Sequence, residues 1–309
     1  MKKMDTKEEM IGIAIPSRNE KFLNNTIRDI LEKAEGPIQI FPILDGCSKE
    51  FMDSYEYVED ERVNYIVFPN LNKTTKRVGI NTMVTLTDAK YVMSVDGHCM
   101  FEKGFDTVLK ENHEPNWVQV PRRHRLDAEN WCIQIQSDNR PPIDYEYIMF
   151  KPLAGSDLGI HGFKWDARTL DRLDIEIDDI ITFQGSCWFM EKEWYNHCGF
   201  MDLAYQGWGQ EAEELSFTTW LKGGRVVVNK KTWYAHLHKG KKYGRMYWMS
   251  RYENRLSYAY SFKKWIVDNR DFFYGLIEKF MPMPGWPENW KERINGNVET
   301  YIDKIQNYE

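Results

Sequence analysis

Cysteine is scarce and irregular, five residues in 309. An odd number with no Cys-x-x-Cys spacing argues against a disulfide framework and against a structural zinc site, so a reducing compartment is expected. Long apolar runs are also missing. No segment approaches the roughly 20 residues a membrane span needs. The N-terminus is charged (Lys2, Lys3, Asp5, Lys7, Glu8, Glu9) and has no apolar signal core. A soluble, cytoplasmic protein is the expectation. A basic balance is absent too: 41 Lys and Arg stand against 47 Asp and Glu, net −6. Such a chain is a poor generic nucleic-acid binder. Internal repeats and low-complexity linkers are lacking. What is abundant is aromatic: 12 Trp and 15% aromatics overall. Most of these serve as large core side chains, and the surplus suits a site that stacks flat rings.

The first hundred residues alternate strand and helix patterns. Residues 11–16 are a short apolar run closed by Pro16, and a polar loop (Ser17, Arg18, Asn19, Glu20) follows. Residues 24–33 repeat apolar positions at helical spacing. Strands are expected over 38–44, 63–68 and 91–95, with a helix over 76–86. The alternation predicts an α/β, mostly parallel sheet flanked by helices. In such sheets ligands bind beyond the carboxyl ends of the strands, where Asp45 and Asp96 fall. Residues 183–190 and 225–229 read as further strands, and 210–222 as a helix. The less regular stretch 117–182 reads as an acceptor-side insert of loops over the sheet. Residues 1–245 are then a catalytic domain, and 246–309 a helical C-terminal extension rich in Tyr and Trp.

Four constellations carry chemistry. Asp96-Gly97-His98 follows an apolar strand, and in extended chain residues i and i+2 point the same way. Both side chains can then reach one divalent ion, with Gly97 clearing space for a diphosphate. A bare Asp-x-His is also an ordinary turn. Asp45-Gly46 is equally a turn or an acceptor for a uracil N–H or a ribose hydroxyl. Glu211 and Glu214, three apart, share a helix face, and acids in a first turn also suit the helix dipole. Gly207-Trp208-Gly209 precedes them. His236 and His238 are two candidate imidazole ligands.

Taken in order and spacing, these pieces resemble the GT-A glycosyltransferases of the family-two type, most of all the polypeptide N-acetylgalactosaminyltransferase group. The likeness lies in residues 15–20, 44–48, 94–98 and 185–239, the last including Gly199 to Asp202, Trp208 to Phe217, Trp220 to Gly224 and Ala235-His236. The resemblance implies a GT-A, Rossmann-like fold and a Mn2+ (or Mg2+) ion held by Asp96, His98 and His236, with His238 as the alternate third ligand. It implies a UDP-sugar donor. Asp45 would hold uracil or ribose, and Pro16, Arg18 and Glu20 would lie near the nucleotide. Arg77 would lie near the uridine or diphosphate, and Gly97 and Gly185 would leave room for the donor. Trp208, Gly209 and Glu211 would shape the sugar pocket, and Trp208, Glu211 and Glu214 would be the catalytic residues. Where inverting relatives carry an Asp base, this chain has Ala212, which takes no proton. Retention of configuration is therefore expected; a β-linked product would point to Glu211 or Glu213 as base. Gln210 replaces a glycine of the pattern and is expected to narrow the sugar pocket.

The acceptor stays open among a glycan, a peptide and a modified nucleobase. For the last, a phage-type or bacterial setting, Arg122, Arg123, Arg125, Lys239, Lys241 and Lys242 would track DNA phosphates; the same charges also read as solvated surface. A nucleotidyltransferase would want a glycine- and lysine-bearing phosphate loop after the first strand, which residues 17–20 do not supply. A non-catalytic sugar-binding protein has no need of Asp96, His98, His236 and Glu211 together.

Overall fold

Continuous apolar runs make the centre of the sheet. The computed structural model describes residues 9–69, 76–134, 140–150, 160–207, 209–244, 250–296, 298, 300 and 302–303. Its strands are β1 (Ile11–Ser17), β2 (Ile38–Asp45), β3 (Ile66–Phe68), β4 (Tyr91–Val95), β5 (Cys99–Phe101), β6 (Trp117–Asp127), β7 (Cys132–Ile133), β8 (Glu146–Phe150), β9 (Ile160–Lys164), β10 (Ile177–Asp179), β11 (Cys187–Glu191) and β12 (Arg225–His236). The main sheet runs β10-β12-β6-β11-β4-β1-β2-β3, with β5 beside β12 and β7 beside β6. The pair β8-β9 forms a separate antiparallel hairpin.

Strands β3, β2, β1 and β4 are parallel. Both faces are covered, so they read as unbroken hydrophobic runs. Ile11, Ile13, Ile15, Ile40, Val92 and Met93 are fully buried. Their carboxyl ends share one edge of the sheet, from which Arg18, Asp45 and Asp96 emerge. The other half is mixed. Strand β11 lies antiparallel between β4 and β6, while β6 and β12 run parallel to each other. The antiparallel β11 brings its own beginning, just after Gly185, to the edge where β4 ends.

Helix Leu23–Lys33 buries Leu23, Ile27 and Ile30, one stripe at helical spacing. Helix Lys76–Leu86 approaches β2 so closely that a Cβ on Gly79 would lie 2.9 Å from Ile43, so glycine sets this spacing. Helix Glu211–Leu221 packs Phe217 edge-on against Trp265 and Phe273 of the C-terminal segment, at 5.3 and 5.8 Å. That segment comprises helices Arg251–Phe262, Arg270–Phe280 and Trp290–Asn295, with a π-helical stretch Lys263–Val267. Phe262, Trp265 and Phe273 are essentially fully buried in the same core as the sheet, each contributing roughly 1.5–3 kcal/mol of burial.

The expected insert at 117–182 needs correction. Its first eleven residues are β6, an interior strand of the main sheet, and 177–179 are β10 at the sheet's edge. Of the described residues between them, Cys132–Ile133 form β7 beside β6, and only the β8-β9 hairpin makes a sheet of its own. Among the described residues no helix is long and apolar enough to cross a membrane.

Candidate active site

The edge where β1, β2 and β4 end opens into a cleft of about 700 Å³. At one end sit Asp96, His98 and His236, whose ligand atoms lie within 4.8 Å of one another. The turn between β4 and β5 supplies the first two. Antiparallel pairing of β5 with β12 sets His236 opposite Cys99 and so beside His98. The His98 and His236 Nε2 atoms are 3.1 Å apart, and Asp96 Oδ2 is 3.4 Å from His236 Nε2. His98 Nδ1 donates to Glu20 Oε2 at 3.0 Å, which turns the lone pair of its Nε2 toward His236. Burial pushes the His236 imidazolium down to about 3, so the ring is in its neutral, ligating form at neutral pH. Burial works against a charge on Asp96, yet the Lys76 ammonium and the two histidines hold it well below the ordinary carboxylate range. Two facing imidazole nitrogens and one ionised carboxylate are a donor set that suits a divalent cation. His238, although its ring is 5.3 Å from that of His236, is not in the group.

Glu20 thus lies behind the ligands. It also pairs with Lys239 at 2.5 Å, and although burial opposes its charge, His98 and Lys239 keep its carboxyl below the usual range. Gly97 serves the same arrangement: a Cβ there would come 2.9 Å from Glu20 Cγ and 3.0 Å from Ser17 Oγ. The space that Gly97 preserves therefore belongs to Glu20 and Ser17, in place of the expected diphosphate. Glu20→Gln should weaken Mn2+ binding by roughly 10–100-fold, the usual effect of losing an outer-shell partner. Titration of free Mn2+ by electron paramagnetic resonance reads this directly, and an unchanged affinity would remove Glu20 from the metal's support.

Lys76 is a cleft residue that the sequence reading passed over. Its Nζ donates to Asp96 Oδ1 at 2.8 Å and to the Gly185 carbonyl at 2.6 Å. Its neighbour Arg77, expected at the nucleotide, is instead fully buried below the cleft. It bonds Glu214 at 2.9 Å, Glu211 at 3.4 Å and the Gly209 carbonyl at 3.1 Å, and it stacks over Tyr205 at 4.4 Å. The two side chains leave the helix about 100° apart because they are successive in it, so one reaches the cleft and the other the core. Glu214, expected among the catalytic residues, is buried with Arg77 and also accepts from the Asp202 N–H at 2.6 Å. Glu211 does line the cleft. Trp208 lies outside the described residues.

Arg18 and Asp45 form a part-buried ion pair at 2.6 Å on the cleft wall, with Pro16 adjoining. Gly185, Gly209 and Gln210 also line the cleft. Gln210 takes a left-handed φ of 66°, the conformation a glycine adopts freely, and its amide donates to Ile160 O at 2.7 Å. Farther along, Glu213 accepts from the Gly162 N–H at 2.7 Å and lies 3.6 Å from His161. Burial pushes its carboxyl up against the pull of His161. Glu146 stands beside it, so this end of the cleft is rich in acceptors.

The basic run differs most from expectation. Arg123 is buried, bonded to Glu146 at 2.6 Å and Gln184 at 2.9 Å. Arg122 grips Asp144 through Nε and Nη2 at 2.9 and 2.7 Å, and Arg125 donates to the Pro141 carbonyl at 3.2 Å. Lys239 is held by Glu20. Of the six expected DNA contacts only Lys241 and Lys242 are exposed, and Lys242 lies 3.5 Å from Glu129. Arginines already spent on buried carboxylates cannot release counterions from a phosphate backbone, so DNA contact through this run is withdrawn.

No known family profile matches the chain. The crystal structure of GalNAc-T7 with UDP, GalNAc and Mn2+ superposes with a TM-score of 0.65 at 16% identity, over 96% of this chain and 56% of that one. The fold is thus that of the GT-A glycosyltransferases. By sequence the chain is 31% identical over 80 residues to human polypeptide N-acetylgalactosaminyltransferase 16, covering 24% of this chain and 14% of that protein. It is 23% identical over 232 residues to probable N-acetylgalactosaminyltransferase 8 of Caenorhabditis elegans, covering 66% and 50%. The chain is a relative of the polypeptide N-acetylgalactosaminyltransferases that spans half or less of the length of these two curated proteins.

Proposed function

We propose that this chain is a metal-dependent glycosyltransferase that moves a sugar from a UDP-sugar donor to an acceptor hydroxyl with retention of configuration. The observation that carries the reading is the Asp96, His98 and His236 group opening into a cleft beside the Arg18–Asp45 pair. Asp96, His98 and His236 would hold Mn2+ or Mg2+, which when bound neutralises charge on a departing diphosphate. Lys76 supplies a fixed positive charge at the same end of the cleft. Asp45, oriented by Arg18, offers a carboxylate to the nucleoside. Glu211, fixed from below by Arg77, accepts hydroxyls of the transferred sugar. With Ala212 at the position of the inverting base, the acceptor proton has no carboxylate waiting there, which favours attack on the face the diphosphate leaves. The acceptor-rich end formed by Glu146, His161 and Glu213 suits a neutral, hydroxyl-bearing acceptor and repels an anionic one.

Calorimetry with UDP tests the reading. UDP should bind in the presence of Mn2+ with micromolar affinity, about 8 kcal/mol, and binding should vanish in excess chelator. Equal affinity with and without metal, or no binding in either condition, would sink it.

A further inference from the structure

The cleft is closed on one side by a part of the chain that the glycosyltransferase reading leaves without a role. Ser250 caps helix Arg251–Phe262, accepting from the Glu253 N–H, a serine cap followed three residues on by an acid. The cap lies at the cleft: Ser250, Glu253 and Asn254 line it together with Tyr205 and Gly207. Gly207 has a φ of +65°, and a Cβ there would lie 2.6 Å from Asn254 Oδ1. The loop 202–207 and the helix therefore meet with no room for a side chain between them.

One turn and more down the same helix, the contact becomes a polar joint. Asp202 Oδ2 accepts from the Tyr260 hydroxyl at 2.6 Å and from Lys264 Nζ at 2.8 Å, and Asp202 Oδ1 accepts from the Ala204 N–H at 2.9 Å. Trp265 Nε1 donates to the Tyr205 hydroxyl at 3.2 Å, and Tyr205 in turn lies under Arg77. Asp202 is also tied by its own N–H to Glu214. Three anchors thus connect the C-terminal helix to the loop, and the loop to the Arg77–Glu211 pair at the cleft. The two anchors on the Asp202 carboxylate are charge-assisted, a kind of bond about twice as strong as a neutral one.

We propose that helix Arg251–Phe262 is a wall of the donor-sugar pocket: Glu253 and Asn254 face the transferred sugar, a neutral polyhydroxylated ring, and the Asp202–Tyr260–Lys264 joint holds loop 202–207 in register with Glu211. Asn254 offers both a donor and an acceptor, and Glu253 an acceptor, which matches hydroxyl and amide groups on a sugar ring. The uridine and diphosphate groups, at the Arg18 and Asp96 end, do not touch this wall. The inference rests on the glycosyltransferase reading and makes residues 250–264 a determinant of sugar choice.

The test compares UDP with UDP-sugars. Affinities of UDP, UDP-N-acetylgalactosamine, UDP-N-acetylglucosamine, UDP-galactose and UDP-glucose are measured by calorimetry with Mn2+ on wild type, Asn254→Ala, the double variant Tyr260→Phe/Lys264→Met, and Lys264→Arg. UDP affinity should stay within about twofold in all of them. The best wild-type UDP-sugar should weaken about tenfold in Asn254→Ala and in the double variant, the scale of one lost hydrogen bond to a polar group. Lys264→Arg should keep the wild-type value within about threefold. UDP and UDP-sugar weakening in step would reduce the joint to a fold contact and overturn the proposal. Unchanged UDP-sugar affinity in Asn254→Ala would overturn the wall. Failure of wild type to bind UDP with Mn2+ would bring down the glycosyltransferase reading first, and this inference with it.

Discussion

Replacing Arg77 by Met should lower the stability of the fold by about 3–5 kcal/mol, the cost of stranding a buried charge. Arg77 has no exposed surface, and it donates to the buried Glu214, the cleft carboxylate Glu211 and the Gly209 carbonyl. Methionine fills much of the volume but satisfies none of them, and it also gives up the stack on Tyr205. For a domain of this size the loss corresponds to a midpoint lower by roughly 5–10 °C. The pH dependence carries the mechanism. Burial already holds the Glu214 carboxyl above its ordinary range against the pull of Arg77, and without Arg77 its folded-state pKa rises further above the unfolded one. The folded state then binds more protons than the unfolded state between those two values, so stability falls as pH rises through that window. The deficit of Arg77→Met relative to wild type should therefore grow from pH 5 to pH 8 in denaturant titrations. A constant deficit would mean that lost packing, not a stranded carboxylate, is responsible. The double change Arg77→Met/Glu214→Leu should recover part of the loss, because replacing a buried pair by apolar residues is often neutral.

How much of this was legible in the sequence depends on the range over which a residue finds its partner. Strands β1, β2 and β4 read directly, because burial on both faces leaves an unbroken apolar run. Their polar ends, Asp45 and Asp96, followed from the geometry of parallel sheets, and Arg18 from the family resemblance. Asp96 and His98 come together within one turn, a local fact. Strand β6 did not read as a strand because four of its residues are Arg122, Arg123, His124 and Arg125. The charge of Arg123 is cancelled by Glu146, 23 positions away, and no local pattern reports that pairing. Lys76 and Arg77 show the same limit. Two successive cations look alike in the sequence, and only the seating of their helix on β2 sends one to Asp96 and the other to the core. The wall at Glu253 and Asn254 was hidden for a related reason: a serine cap with an acid three residues on marks where a helix starts but not what it starts against.

Asp96→Ala should abolish Mn2+-dependent UDP binding and cut turnover of the donor by on the order of 10³-fold or more, since metal stabilisation of a leaving diphosphate is worth several kcal/mol. Two effects add. The metal loses its only carboxylate among the three grouped side chains, so the remaining His98 and His236 give a neutral pair with less attraction for a hard dication. Lys76 loses its direct counterion and keeps the Gly185 carbonyl and the more distant charge of Glu211. Its ammonium then stands closer in charge balance to a diphosphate, which makes residual metal-free UDP binding the informative readout. If Asp96→Ala binds UDP weakly but equally with and without Mn2+, Lys76 supplies the remaining attraction, and Asp96→Ala/Lys76→Met should lose it. The isosteric Asp96→Asn separates shape from charge: it should behave like alanine toward Mn2+, because an amide oxygen is a far weaker ligand than an ionised carboxylate. Near-normal Mn2+ affinity in Asp96→Asn would mean that the ion sits elsewhere. The convergence of His98 and His236 would then be a hydrogen-bonded pair sharing one proton, held by Glu20, with the cleft's charge set by Lys76 and Asp96 alone.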